Sequence, residues 1–223
     1  MISLTFFGDK HYRARAAISL NLPMSVINKT SAGKWSHSDT EFNNLYPSSV
    51  QALAKWHWTP LPIAIKAANF LAGEGHVRIL DIGSGIGKFC LAAAYHTPKA
   101  LYYGVEQRKN LIGFAEAARK SLRLENVSFI HGNFTQLDLK KYDHFYFYNA
   151  FYENLAGTEK IDDSIDYSGE LYNYYNRYLF KQLQQKPKGT RLCTLCSLEG
   201  EIPPDFQVVR SEMNDLLKFW IKI

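Results

Sequence analysis

The residues best suited to chemistry lie in Asp81-Ile82-Gly83-Ser84-Gly85-Ile86-Gly87, an acid followed by three alternating glycines. Glycines let a chain turn sharply and let a ligand approach a backbone that carries no Cβ. N–H groups exposed where a helix then starts can meet anionic or polar ligand atoms. A nicotinamide fingerprint would read GxGxxG, but counted from Gly83 the sixth position is Lys88, and the third glycine comes one residue early at Gly87. The acid two places before Gly83 suits a ligand with an ammonium group near the turn better than it suits a pyrophosphate. Glu106, with Gln107 beside it, ends the next β-rich run, where a carboxylate can accept both ribose hydroxyls of an adenosine.

The elements that must position these residues alternate. Val77–Ile82 reads as a strand and Ile86–Tyr95 as a helix; Leu101–Glu106 is a second strand, and the apolar residues Leu111, Phe114, Ala115, Ala118 and Leu122 then form one helical stripe. Val127–His131 and the aromatic run Tyr142–Asn149 are further strands. Leu171, Tyr174, Tyr175, Tyr178, Leu179 and Leu183 repeat with helical period until Pro187-Lys188-Gly189. Thr190–Ser197 is a fifth strand, and Phe206–Arg210 with Leu216–Ile223 are joined too closely for a helical crossover, hence antiparallel. The expected fold is α/β: a Rossmann-like seven-stranded sheet, mostly parallel with an antiparallel last strand, and helices on both faces.

The first 75 residues differ. Tyr12–Ile27 is mixed and Ser31–Ser38 is small and polar, while Thr59 is placed to cap a helix with Pro60 at its first position and Ile63, Ala67 and Phe70 on its apolar face. The expected organisation is an N-terminal helical cover over 1–75 and a core over 76–223. Trp35, Phe42, Tyr46, Trp56 and Trp58 crowd into the cover, where they pack it or wall a ligand.

Val77–Gly87 resembles motif I of the class I S-adenosylmethionine-dependent methyltransferases, and Gly104-Val105-Glu106 resembles their motif II. The similarity runs from Val77 to Asn154, and the strand count through Ile223 agrees with that family's sheet. It implies S-adenosylmethionine as cofactor, with Asp81, Gly83, Ser84, Gly85 and Gly87 around the methionine part and Glu106 and Gln107 at the ribose. In His131-Gly132-Asn133-Phe134 the family has an acid where Asn133 stands, facing the adenine amino group; an amide oxygen can accept the same hydrogen bond. Phe134 is then either core or the apolar neighbour of adenine, and Thr59 is a further candidate on the cofactor side.

Asn149-Ala150-Phe151-Tyr152 stands where the family has motif IV and is similar to the Asn-containing motif of amine methyltransferases. The Gly-x-Glu and Asn-x-Phe pieces are also similar to the Dot1-like lysine methyltransferase branch. The resemblance implies Asn149 and Tyr152 as the catalytic pair: Asn149 accepts an N–H of the acceptor and touches the donor, and Tyr152 either shapes the acceptor wall or is structural. The expected activity is methyl transfer to a nitrogen or oxygen of a small molecule or protein side chain. The alternatives are an RNA methyltransferase and a non-catalytic module that binds S-adenosylmethionine or S-adenosylhomocysteine.

Glu153, Glu159, Asp162, Asp163, Asp166 and Glu170 follow, against Lys160. If this acidic loop covers the pocket it favours a cationic acceptor such as an amine or lysine side chain. The whole chain carries a net charge of +5, which suits nucleic acid without demanding it, since no run of five or six like charges occurs. Three cysteines, Cys90, Cys193 and Cys196, fit a reducing compartment and read as small core residues; the seven histidines have no metal-ligand spacing, so no metal is expected. Met1–Arg15 has no signal-peptide layout and no run approaches a membrane span, so the expected location is the cytoplasm, with no motif that fixes an oligomeric state.

Overall fold

The β-rich runs pair into one seven-stranded sheet, in the order β3-β2-β1-β4-β5-β7-β6, in a computed structural model that describes residues 34–73 and 75–223. The strands β1 (Arg78–Ile82), β2 (Leu101–Glu106), β3 (Val127–His131), β4 (His144–Tyr148) and β5 (Arg191–Leu195) are parallel. Strand β7 (Leu217–Lys222) runs antiparallel to both β5 and β6 (Phe206–Glu212). Strand β6 extends past Arg210 and is irregular between Val208 and Arg210, and the hairpin turns through Met213, Asn214 and Asp215, all with left-handed φ. Because β1 lies between β2 and β4, the chain order reverses at the β1/β4 boundary. Open α/β sheets bind ligands at that crevice, outside the carboxyl ends of the strands.

Alternate strand residues feed two cores, as the pleat requires. Ile79, Tyr102, Tyr146, Cys193 and Phe219 face one side, together with α4 (Leu61–Ala72), α5 (Lys88–His96) and α6 (Lys109–Leu122). Leu80, Val105, Phe145, Leu192 and Trp220 face the other, under Tyr175, Leu179 and Leu183 of α7 (Gly169–Gln184). The connection from β3 to β4 is made by two 3₁₀ turns, Phe134–Gln136 and Leu139–Lys141, capped by the side chains of Asn133 and Asp138.

Residues 34–60 form three short helices after a 3₁₀ turn, α1 (Asp39–Asn43), α2 (Ser48–Gln51) and α3 (Ala54–His57). Trp35, Phe42, Tyr46 and Trp58 are buried in the same core as β1 and α5, so most of the aromatic crowd is packing. Lys88 opens α5 and is itself buried; its Nζ donates to Asp39 Oδ1 at 2.5 Å and Asn43 Oδ1 at 3.2 Å, tying the cover to the helix after the glycine turn. The expected capping by Thr59 is corrected: α4 starts at Leu61 with Pro60 at its cap, and Asp39 Oδ1 accepts from Leu61 N–H at 2.8 Å. The Thr59 hydroxyl instead pairs with the Tyr146 hydroxyl at 2.9 Å. The reading of Tyr12–Ile27 lies outside the described residues. Among those described, no helix is long and apolar enough to cross a membrane.

Candidate functional site

A cavity of about 540 Å³ opens at the carboxyl ends of β1, β2 and β4 and is roofed by α3 and by the segment after β4, a size typical of small-ligand sites. Its floor is the glycine turn. Gly83 and Gly85 have φ of 78° and 54°, where side chains are disfavoured. A Cβ on Gly83 would stand 2.4 Å from Ala150 Cβ, so this glycine lets the turn after β1 touch the turn after β4. At Gly85 a Cβ would meet nothing within 4 Å; it would project into open space against the cavity.

Gly87 and Gly104 serve packing. A Cβ on Gly87 would be 2.4 Å from the Phe129 ring, and one on Gly104 would be 2.7 Å from Ser84 Oγ. The glycine of Gly-x-Glu therefore makes room for the turn on the neighbouring strand.

Glu106 is buried, and both carboxylate oxygens are engaged: Oε2 accepts from Gly85 N–H at 3.2 Å and Oε1 from Arg108 N–H at 2.9 Å. Burial raises its pKa, and the Arg108 guanidinium and these N–H donors pull it back. A carboxylate has about four lone-pair sites, so two remain for ribose hydroxyls.

Arg108, 5% exposed, is the centre of a wider network. Its Nη1 lies 3.5 Å from Glu106, Nη2 donates to Glu153 at 2.7 Å and to the Tyr167 hydroxyl at 2.5 Å, and Nε donates to Asp162 at 3.1 Å. Burial alone would lower its pKa, but Glu153, Glu106, Tyr167 and Asp162 reverse that and hold the cation fast.

Of the sequence candidates, the cavity wall brings together Gly83, Gly85, Glu106, Gln107, Phe134, Asn149 and Tyr152. Asn149 follows β4 at φ 42°, a left-handed conformation that asparagine tolerates better than most residues and that turns the chain at the site. Tyr152 N–H donates to the Asn149 carbonyl at 3.1 Å, and the residue is 47% exposed on the cavity wall. Phe134 stacks on Phe151 with centroids 5.1 Å apart, so it belongs to both core and wall.

Asp81, Ser84, Gly87, Asn133 and Thr59 stand off the wall. Asp81 is fully buried and accepts from Cys90 Sγ at 3.5 Å; burial pushes its pKa up to about 8, with Cys90 opposing and Glu106 adding to the rise. Ser84 Oγ is buried without a hydrogen-bond partner among the described residues. The Asn133 amide oxygen caps the following turn, accepting from Thr135 N–H and Oγ1 at 3.0 Å each, and its nitrogen donates to Gln107 and Tyr175.

Sequence reasoning missed Arg108, Tyr167, Tyr175, His57 and Cys196, all of which line the cavity, as does Trp56, one of the aromatics weighed as a ligand wall. Arg108, two residues beyond Glu106, was the most legible of these. Cys196 packs at the edge of the core and also reaches the site: the chain leaves β5 after Leu195, and Cys196 turns at φ 59° onto the cavity wall, half-buried.

A glycine turn at a strand-order reversal, an acid on the next strand and an Asn turn beyond β4 therefore meet in one cavity. The chain belongs to the methyltransferase-domain family, whose model matches residues 74–217. It is 35% identical over 74 residues to a tRNA (guanine-N(7)-)-methyltransferase of Prochlorococcus marinus, which covers 33% of this chain and 35% of that one. It is also 35% identical over 66 residues to the release factor glutamine methyltransferase of Buchnera aphidicola, 30% of this chain and 24% of that protein. The chain thus spans about a third or less of the length of these curated relatives. The fold is shared with an RNA methyltransferase of Salinibacter ruber solved with S-adenosyl-L-homocysteine, at TM-score 0.52 and 21% identity over 74% of this chain and 93% of that one. A SAM-dependent O-methyltransferase of Thermotoga maritima gives TM-score 0.52 and 16% identity over 80% and 72%.

Proposed function

We propose that this chain moves the methyl group of S-adenosylmethionine to a nitrogen of its acceptor, with the donor between the Gly83–Gly85 turn, Glu106 and Phe134 and the acceptor between Asn149, Tyr152 and α3. The observation that carries this is Asn149: held at φ 42° where β4 ends, it shares one cavity with Gly83, Gly85 and Glu106. When bound, the cofactor supplies an electrophilic methyl carbon on a sulfonium. The chain's own part is positioning, which alone can account for several kcal/mol of a barrier. Gly83 and Gly85 leave room for the donor, Glu106 accepts its ribose hydroxyls, and the Asn149 amide accepts an acceptor N–H so that the nitrogen lone pair lies toward the methyl. The division into a cover over 1–75 and a core over 76–223 is part of the same proposal, with α3 of the cover on the acceptor side.

A cationic acceptor draws less support than the acidic composition of the 153–170 loop suggested, because Glu153 and Asp162 are both spent on Arg108. A second reading, an RNA acceptor, is supported by the names of the tRNA and RNA methyltransferases that the chain resembles. Trp56, 48% exposed beside the cavity, also supports it, since an exposed ring can stack on a base. Incubation with methyl-labelled S-adenosylmethionine and, separately, unfractionated bacterial tRNA, a glutamine- and lysine-containing peptide pool and a panel of small amines decides between them. Label on a nitrogen of any one supports the proposal, and label on oxygen or carbon alone overturns it.

A further inference from the structure

One titratable side chain on the cavity wall has no structural task. His57 ends α3, and among the described residues its ring makes no hydrogen bond or ion pair. Its helix is held against β4 at two points: Trp56 carbonyl accepts from the Tyr148 hydroxyl at 3.4 Å, and Thr59 pairs with Tyr146 at 2.9 Å. His57 follows Trp56 and Asn149 follows Tyr148, and both line the same cavity.

We propose that His57 is the base of the transfer to an N–H acceptor, taking the proton that such a nitrogen loses once it is alkylated. This rests on the nitrogen-acceptor reading above. The acceptor's lone pair forms the new N–C bond as the C–S bond breaks, and the electron pair of that bond stays on sulfur, which loses its positive charge. The alkylated nitrogen is left with one proton too many. An unprotonated ring nitrogen of His57 accepts it, and the resulting imidazolium returns it to water at the cavity mouth.

The surroundings keep the ring ready. Burial lowers its pKa first, Glu153 and Glu159 raise it, and Arg108 lowers it, with a net lowering, so the ring is neutral at pH 7. Lys55, Glu106, Tyr148, Tyr152, Asp166, Tyr167, Tyr175 and Cys196 are the other titratable groups on this wall. The Arg108 network holds Glu153 against its own cation.

The test uses the full chain with labelled S-adenosylmethionine and, as acceptor probes, unfractionated tRNA, the peptide pool and the panel of small amines. His57→Gln should bind S-adenosylhomocysteine within twofold of wild type by calorimetry, yet transfer label about 100-fold or more slowly, the low end of general-base effects. The acid limb of the wild-type pH–rate profile, below about pH 6.5, should vanish in this variant, and added imidazole should restore part of the rate of His57→Ala. By NMR, the His57 ring in the S-adenosylhomocysteine-bound protein should be neutral at pH 7. A His57→Gln rate within threefold of a labelling wild type, a retained acid limb, or a ring protonated at pH 7 overturns the role. Wild-type protein that binds S-adenosylhomocysteine and labels neither tRNA, peptides nor amines overturns the nitrogen-acceptor reading itself, which separates the two failures.

Discussion

The Gly85 N–H donates to Glu106 Oε2 across 3.2 Å, joining the turn after β1 to the acid that ends β2. The same carboxylate is therefore the brace of the glycine turn and the ribose acceptor of the proposed site. Glu106→Ala should weaken S-adenosylhomocysteine binding by more than tenfold, since a charge-assisted hydrogen bond is worth roughly 1.5–3 kcal/mol. Glu106→Gln keeps an acceptor for Gly85 and should fall between the two in the same calorimetric titration.

Gly83 has a positive φ and no room for a Cβ beside Ala150. Gly83→Ala should lower stability by about 1–3 kcal/mol, the usual cost of forced overpacking, and should abolish donor binding because the β1 and β4 turns must separate. Thermal melting and calorimetry on one preparation check both effects. Gly85→Ala, with open space at its Cβ, should lose donor binding with a smaller drop in melting temperature.

Arg108 ties Glu106 to Glu153, Asp162 and Tyr167. Arg108→Leu would leave three carboxylates with no cation at the centre, and breaking such a buried set by removing one partner costs about 3–5 kcal/mol. The segment 155–166 should become the first site of limited proteolysis in the variant while it stays resistant in the wild type.

Asp39 holds two positions at once, the Lys88 ammonium and the Leu61 N–H. Asp39→Ala should cost about 1.5–3 kcal/mol through the charged hydrogen bond, lowering the melting temperature by several degrees. Asp39→Asn should recover part of the loss by keeping an acceptor for Leu61.

His144 accepts from Arg191 N–H through Nδ1 at 3.0 Å, and burial first, then the Arg191 cation, lowers its pKa to about 4. A depressed histidine leaves the unfolded chain the better proton binder, so its contribution is complete above the ordinary value near 6.5 and is lost as pH falls toward 4. The melting temperature of wild type relative to His144→Gln should therefore fall between pH 6.5 and 4.5.

Much of the fold was legible because strand alternation and helical stripes are local: β2 and β3 have the expected ends, and β7 has the expected direction. The start of α4 was misread because the residue that satisfies Leu61 N–H, Asp39, lies 22 positions earlier, and capping rules see only neighbours. Asp81 was read as holding the methionine part of the donor from its place in the motif, and the structure adds a burial set by Cys90 and the packing around α5, which the motif does not contain. Asn133 was read from its place in the motif as an acceptor for the adenine amino group, and the structure adds that its oxygen caps the turn Phe134–Gln136. His57 and Trp56 carry no motif at all; they reach the site because the cover folds back onto Tyr146 and Tyr148.

The central claim is that the Gly83–Gly85 turn and Glu106 seat the adenosine and amino-acid ends of S-adenosylmethionine. Isothermal titration of the wild-type protein with S-adenosylhomocysteine and, separately, with NADH tests it most directly. Saturable one-site binding of S-adenosylhomocysteine, weakened more than about tenfold by Glu106→Ala, with no heat from NADH, is the expected result. NADH binding without S-adenosylhomocysteine binding, or S-adenosylhomocysteine binding that Glu106→Ala leaves unchanged, would contradict it.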